Sequence, residues 1–178
     1  MLDIERIINT DIPDIAPVYG GVRGRTISSQ KQAYAWKSLV EAGLRQVIDL
    51  RKDYSADRYP ELCRKYGVDY FHYPIDNDHE TIAKMVEMFP TFCKKIDKGD
   101  FYIACAMGLH RTDIALCTYW VFYAADKGIA PHPLKVTDRR MVTTPTRLCV
   151  CSMPSISIRQ KWMAKNPCPL KCSRNVRK

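Results

Sequence analysis

The sequence predicts an α/β domain: a central, mainly parallel sheet flanked by helices on both faces. Two observations predict this class. Short apolar runs typical of buried strands alternate with longer segments whose apolar residues recur at helical spacing. Strands that alternate with helices form βαβ units, and such units build a parallel sheet between helical layers. The strands are predicted at residues 45–50, 68–74 and 101–104, and the helices at residues 30–41, 55–66 and 79–96.

The remaining segments are assigned from their turn-forming residues. The first 17 residues alternate Ile, Asp and Pro and are predicted to be an irregular lead-in. Residues 18–25 hold three glycines and predict a short strand and a turn. There Arg23 and Arg25 are expected to be solvated, with contact to a phosphate as the alternative. Pro90 should kink or split its helix, and a last helix is expected at residues 133–140.

Length and composition indicate one ordinary globular domain with a tail. The chain has 178 residues, 46% of them hydrophobic and 26% charged. We predict one folded domain at residues 1–146 and a basic, cysteine-containing extension at residues 147–178. The net charge of +9 favours phosphorylated or otherwise anionic partners, and a well-solvated basic surface is the alternative.

The extension contains four of the eight cysteines: Cys149, Cys151, Cys168 and Cys172. Their C-x-C and C-x3-C spacings lack the C-x2-C pair usual in zinc sites, so free thiols are expected and no metal. The basic end at residues 171–178 is interpreted as a solvated tail, or as an electrostatic hook for RNA or acidic lipid. A nucleic-acid partner is left open.

The first residues lack the basic start and apolar core of a signal peptide. The longest apolar run, at residues 114–125, is too short to span a bilayer. A cytoplasmic, reducing compartment is therefore expected, and secretion without a cleavable signal stays open.

Residues 105–112 form the most informative motif, C-x5-R-T with a central glycine. A predicted strand ends at Cys105 and a predicted helix begins near Arg111. The backbone N–H groups of a tight loop and the start of a helix both attract an anion, and an arginine grips two phosphate oxygens. The same positive field stabilises a thiolate nucleophile. The alternative is a buried core cysteine beside a surface arginine.

Each position of the motif receives an expected role. Cys105 is the nucleophile and Arg111 binds the phosphoryl oxygens. Thr112 offers its hydroxyl to the thiolate, and the backbone of the intervening loop binds the substrate. These loop residues are Ala106, Met107, Gly108, Leu109 and His110. Because backbone and guanidinium hold the anion, no metal and no cofactor are needed.

The motif resembles the signature loop of cysteine-based phosphatases, the superfamily of tyrosine and dual-specificity phosphatases. Two further blocks extend the resemblance over about residues 17–125. Residues 47–51, VIDLR, resemble the early strand of compact atypical dual-specificity enzymes, which often ends in DLR. Residues 70–78, YFHYPIDND, resemble the strand that leads into the general-acid loop. Asp49 and Arg51 are expected to form a structural pair near the site.

The resemblance implies a general acid on the second of these blocks. Asp78 is the first candidate and Asp76 the alternative, while Asp78 also fits a helix cap. Two positions differ from the family pattern: Ala104 stands where the family usually has His, and Asp113 where it usually has Gly or Ser.

The expected function is therefore a protein tyrosine or dual-specificity phosphatase that acts on a phosphoprotein through a cysteinyl-phosphate. One alternative is a catalytically weak pseudophosphatase that only binds phosphate. The others are a phosphatase for RNA 5′ phosphates or for inositol phosphates, the latter disfavoured because the loop has no lysine. A rhodanese-like sulfurtransferase is disfavoured by the C-x5-R-T spacing. Under oxidation, Cys63, Cys93 or Cys117 could pair with Cys105.

Overall fold

A computed structural model describes residues 1–27, 33–52, 59–76 and 78–131. The helices are α1 (Ile4–Ile8), α2 (Ala33–Glu41), α3 (Tyr59–Lys65), α4 (His79–Lys98) and α5 (His110–Tyr119). The strands are β1 (Ala16–Val18), β2 (Gly21–Arg25), β3 (Gln46–Asp49), β4 (Asp69–His72) and β5 (Phe101–Cys105). They form one five-stranded sheet in the order β1-β2-β5-β3-β4. Only β1 runs antiparallel to its neighbour, so the predicted α/β class with a mainly parallel sheet is confirmed.

The strand β5 is the centre of the sheet. It pairs in parallel with β2 on one side and with β3 on the other. The register places Cys105 beside Arg25, and Ala104 beside Asp49. The carboxyl ends of three strands therefore meet at one edge of the sheet, where ligands of such folds bind.

Two hydrophobic cores lie on the two faces of the sheet. Because side chains alternate along a strand, Tyr102 and Ala104 contribute to one core and Ile103 and Cys105 to the other. The first core is covered by α1, α2 and α3, and the second by α4 and α5. The sulfur of Cys105 thus belongs to the face that is covered by the helix following its own loop.

The helix α4 runs without interruption across Pro90, so the predicted split does not occur. Pro90 is exposed, while Phe92 and Cys93 on the opposite side are buried against the sheet. The apolar contacts of this long helix hold it together around the one backbone hydrogen bond that proline cannot make.

The lead-in, expected to be irregular, contains the short helix α1. The side chain of Asp3 caps it by accepting a hydrogen bond from the backbone N–H of Arg6 at 3.1 Å, and Ile7 is fully buried. Five residues are too few to show helical periodicity in a sequence.

The helix α5 continues at its C-terminal end into a π-helical turn, Trp120–Ala124, and then a 3-10 turn, Ala125–Lys127.

Several predictions concern segments outside the described residues. These are the helix expected at residues 133–140 and the extension at residues 147–178 with its four cysteines. Among the described helices, none combines the length and the apolar character that crossing a bilayer would require.

Candidate active site

Cys105 ends β5 with a side chain that is only 3% exposed. The chain then turns through residues 106–109, and the backbone N–H of Gly108 donates to the carbonyl of Cys105 at 3.1 Å. Gly108 has a φ of +68°, and a Cβ placed on it would lie 2.4 Å from the carbonyl carbon of Gly24. Only glycine therefore allows this loop to adopt its shape against the backbone of β2.

The start of α5 is open to an anion. The N-cap residue, Leu109, makes no side-chain capping hydrogen bond, and the first intrahelical bond runs from the N–H of Asp113 to the carbonyl of Leu109 at 2.8 Å. The N–H groups of His110, Arg111 and Thr112 precede that bond and have no acceptor within the helix. This helix end carries a partial positive charge, and the half-buried Arg111 lies in its first turn.

Thr112 directly contacts the candidate nucleophile. Its side chain is fully buried, and its Oγ1 lies 3.4 Å from Sγ of Cys105. A hydroxyl that donates to sulfur stabilises a thiolate more than a thiol. The structure thus brings Cys105 and Thr112 together in the predicted arrangement.

The position of Arg23 differs from the one expected from the sequence. It was expected to be a solvated turn residue, but it lies in β2 with no exposed surface. Its Nη2 donates to the carbonyl oxygens of Gly108 at 2.6 Å and Leu109 at 3.2 Å, and its Nη1 pairs with the carboxylate of Asp113. The residue that departs from the family pattern, Asp113, therefore has a buried counter-charge. Arg25, further along β2, is partly exposed and lies 3.5 Å from Asp14.

The pair of Asp49 and Arg51 supports the neighbouring strand end. Asp49 has no exposed surface and accepts from Nε of Arg51 at 3.0 Å, from its Nη2 at 2.7 Å and from the hydroxyl of Tyr70 at 3.0 Å. Burial is the largest single influence and lowers the pKa of Arg51, but the hydrogen bond to Asp49 and the charge interactions with Asp49, Tyr59 and Tyr70 together raise it. The guanidinium also lies over the ring of Tyr59, 5.2 Å from its centroid. The expected structural pair is present.

Asp78 has the contacts of a helix cap. Its carboxylate accepts from the backbone N–H and the hydroxyl of Thr81, both at 2.9 Å, and from Nζ of Lys52 at 2.8 Å. Lys52, followed by Thr81, holds the pKa of Asp78 well below its usual range. Lys52 also lies 3.1 Å from a carboxylate oxygen of Asp76. One lysine therefore joins both candidate acids, and sequence reasoning missed it.

The structure describes three further cysteines besides Cys105. Cys63 and Cys93 are buried, and burial raises the pKa of each thiol to about 12. Such thiols are weak nucleophiles near neutral pH. Cys117 is partly exposed on α5, and none of the four described cysteines is in a disulfide. Within the described part of the chain, His, Cys, Asp and Glu side chains form no group of three suited to a metal ion.

Comparisons with known proteins identify the fold. No family model matches the chain, and no curated protein is significantly similar to it in sequence. A putative phosphatase (DUF442) from Shewanella putrefaciens CN-32 superposes with a TM-score of 0.51 at 16% identity, over 92% of this chain and 98% of that one. PTPMT1 and a mutant form of Tk-PTP each give a TM-score of 0.45, at 14% and 13% identity, over 83% and 86% of this chain and 94% of each of those chains. The chain therefore has the fold of the putative phosphatase from Shewanella putrefaciens.

Proposed function

We propose that this protein is a phosphomonoester hydrolase that works through a cysteinyl-phosphate, with phosphoproteins as its substrates. One observation carries the proposal: a C-x5-R-T loop joins the central strand to an uncapped helix, and Thr112 lies 3.4 Å from the sulfur of Cys105. The loop offers backbone N–H groups and Arg111 to a dianion, and the buried sulfur is stabilised by a hydroxyl. This set binds, attacks and releases a phosphoryl group without a metal.

In the first step the thiolate of Cys105 attacks phosphorus, an S–P bond forms and the ester P–O bond breaks. Arg111 and the N–H groups of the loop stabilise the charge that grows on the equatorial oxygens. The leaving oxygen takes a proton from an aspartic acid. In the second step water attacks phosphorus and gives its proton to that carboxylate. The S–P bond then breaks, the thiolate is restored with help from Thr112, and inorganic phosphate leaves.

The proton donor is proposed to come from Asp76 or Asp78. The sequence favours Asp78, but its contacts to Thr81 and Lys52 keep it ionised and fixed at the start of α4. An acid must hold a proton near the working pH. The contacts of Asp78 therefore favour Asp76 as the donor and Asp78 as the anchor of the loop, and Lys52 must release the donor when substrate binds.

The proposal is tested by trapping the intermediate. The protein is mixed with an aryl phosphate, quenched in acid and examined by mass spectrometry for one added phosphoryl group on the peptide that contains Cys105. Cys105→Ser should lose both the adduct and turnover. The matched control is Cys117→Ser, which changes a partly exposed cysteine of α5 and should keep both. Turnover that survives in Cys105→Ser would refute the mechanism.

A phosphate-binding pseudophosphatase is the second candidate, because Ala104 replaces the usual histidine and Asp78 is held as an anion. It predicts that vanadate binds while no phosphoryl adduct or turnover appears. Substrate class is decided by comparing rates on phosphotyrosine and phosphothreonine peptides, a 5′-phosphorylated RNA and an inositol phosphate. Faster turnover of the RNA or of the inositol phosphate would mean that the substrate is not a phosphoprotein.

A further inference from the structure

The buried pair of Arg23 and Asp113 has no part in the reaction steps above. The guanidinium of Arg23 binds the junction between the loop and α5. Nε and Nη2 donate to the carbonyl of Gly108 at 3.2 and 2.6 Å, Nη2 also reaches the carbonyl of Leu109 at 3.2 Å, and Nη1 pairs with Asp113. A planar guanidinium presents its donors in a fixed fork. These four contacts therefore restrain the position and the tilt of two consecutive peptide groups.

Those peptide groups carry the N–H donors of the anion site. A peptide unit is planar and trans, so its carbonyl and its N–H point in opposite directions. The carbonyl of Gly108 shares a unit with the N–H of Leu109, and the carbonyl of Leu109 shares one with the N–H of His110. By holding both carbonyls on the side of β2, Arg23 turns both N–H groups to the opposite side of the loop.

Charge balance gives the pair a second effect. Asp113 lies in the first turn of α5, and its side chain is only 10% exposed. An unpaired carboxylate there would repel both a phosphate dianion and the thiolate, because a low-dielectric interior screens charge poorly. Arg23, with a fully buried side chain, neutralises it. The ion pair therefore allows both charged side chains to be buried beneath the loop.

We propose that Arg23 is a positioning residue that aims the N–H groups of the signature loop at the phosphate, with Asp113 as its buried counter-charge. The proposal rests on the proposed function, since it assumes that an oxyanion binds in this loop. It also accounts for the absence of the usual histidine at Ala104: a side chain from the neighbouring strand orders the loop instead.

The test measures vanadate affinity by titration calorimetry, since vanadate binds without being turned over. Arg23→Lys keeps the positive charge but loses the planar guanidinium, which presents several donors in fixed directions. We expect vanadate affinity to fall about 10- to 100-fold, because small misplacements of binding groups have effects of that size. A double variant, Arg23→Met with Asp113→Leu, removes both charges and keeps the packing volume, so that the fold is retained. It should bind vanadate as weakly as Arg23→Lys.

Two controls separate positioning from stability. Leu39→Ala lowers stability in the core on the opposite face of the sheet and should leave vanadate affinity unchanged. Arg6→Lys makes the same change in an exposed ion pair with Glu41 and should also leave vanadate affinity unchanged. Affinity within twofold of wild type in the double variant would overturn the proposal, and so would a wild type that binds no vanadate. A wild type that binds vanadate but hydrolyses no phosphate ester would refute the proposed function alone.

Discussion

The hydroxyl of Thr112 lies 3.4 Å from the sulfur of Cys105, and both side chains are buried. A hydrogen bond to a charged group contributes about 1.5 kcal/mol or more, which corresponds to about a tenfold change in an equilibrium. Thr112→Val keeps the shape of the side chain and removes the donor. We therefore expect iodoacetamide to alkylate Cys105 about tenfold more slowly at neutral pH, as measured by mass spectrometry of the modified peptide.

Thr112→Ser is the matched control, because it retains the hydroxyl and removes only a methyl group. It should be alkylated at close to the wild-type rate. The same hydroxyl should assist the release of sulfur from phosphorus, so the cysteinyl-phosphate should accumulate in Thr112→Val. Equal alkylation rates in the Val and Ser variants would show that the contact does not stabilise the thiolate.

The roles of Asp76 and Asp78 are separated by asparagine substitutions. Asn is a good N-cap but cannot donate a proton as an acid. Asp78→Asn should therefore keep the cap and lose only the ion pair with Lys52, whereas Asp78→Ala should lose about 1 kcal/mol more of the free energy of unfolding. If Asp76 is the donor, Asp76→Asn lowers kcat about 100-fold or more, and Asp78→Asn has a much smaller effect. Steady-state kinetics and urea denaturation measure the two quantities.

The leaving group provides the control for this assignment. A substrate with a strongly acidic phenol needs little protonation, so Asp76→Asn should affect it far less than an alkyl phosphate. A loss that is equally large for both substrates would mean that the residue positions the loop and does not donate the proton. A loss that is confined to Asp78→Asn would assign the acid to Asp78.

Lys52 should set the pH dependence of this acid loop. It is the main cause of the lowered pKa of Asp78, and it also contacts Asp76. Lys52→Met should raise the pKa of Asp78 toward its ordinary value, as observed by NMR of the carboxyl carbon. It should also move the alkaline limb of the kcat profile to higher pH, because the freed acid keeps its proton longer.

The sign of the stability effect follows from the lowered pKa. A carboxyl whose pKa is lowered by folding stabilises the protein above its unfolded pKa, and that stabilisation is lost as pH falls toward the folded value. Wild type should therefore be more stable than Lys52→Met at pH 7, and the difference should shrink below about pH 4. Lys37→Met removes a lysine from an exposed pair on α2. It should change neither the pKa of Asp78 nor the alkaline limb of the kcat profile.

The sequence was sufficient for the fold class and for the expected contact between Cys105 and Thr112. Both follow from local patterns: strands and helices alternate at regular spacing, and a helix start brings Thr112 back to the residue seven positions before it. The pair of Asp49 and Arg51 is likewise local, since its members are two positions apart in the chain.

Contacts between distant segments could not be predicted in this way. Arg23 lies 90 residues before Asp113, and its stretch of glycines and arginines is typical of a solvated turn. Only the register of β2 on β5 places it under the loop. A usable signal existed, because an aspartate on a buried helix start requires a counter-charge. Asp78 shows a different limit: its side chain fits two local patterns, an acid loop and a helix cap. The sequence favours the acid, whereas the structure shows the contacts of a cap.

Gly108 is predicted to be irreplaceable because a side chain at this position would clash with β2. Gly67 has the same backbone conformation without that clash and therefore serves as the comparison. Gly108 and Gly67 have nearly the same left-handed backbone, with φ of +68° and +66°. A Cβ on Gly108 would meet the backbone of Gly24 and Arg25 at 2.4–2.6 Å, whereas one on Gly67 would have no heavy atom within 4 Å. Alanine at either position has the same intrinsic conformational cost, about 1–2 kcal/mol.

The two alanine variants should therefore differ in binding and not only in stability. Gly67→Ala should lower the melting temperature modestly and leave vanadate affinity and kcat/KM unchanged. Gly108→Ala must push the loop away from β2, which pulls the carbonyl of Gly108 from Arg23 and misdirects the N–H groups that face the anion. We expect its vanadate affinity to fall about 100-fold, measured by calorimetry beside Gly67→Ala. Equal affinities in the two variants would show that the loop tolerates this displacement, and that close contact with β2 does not shape the anion site.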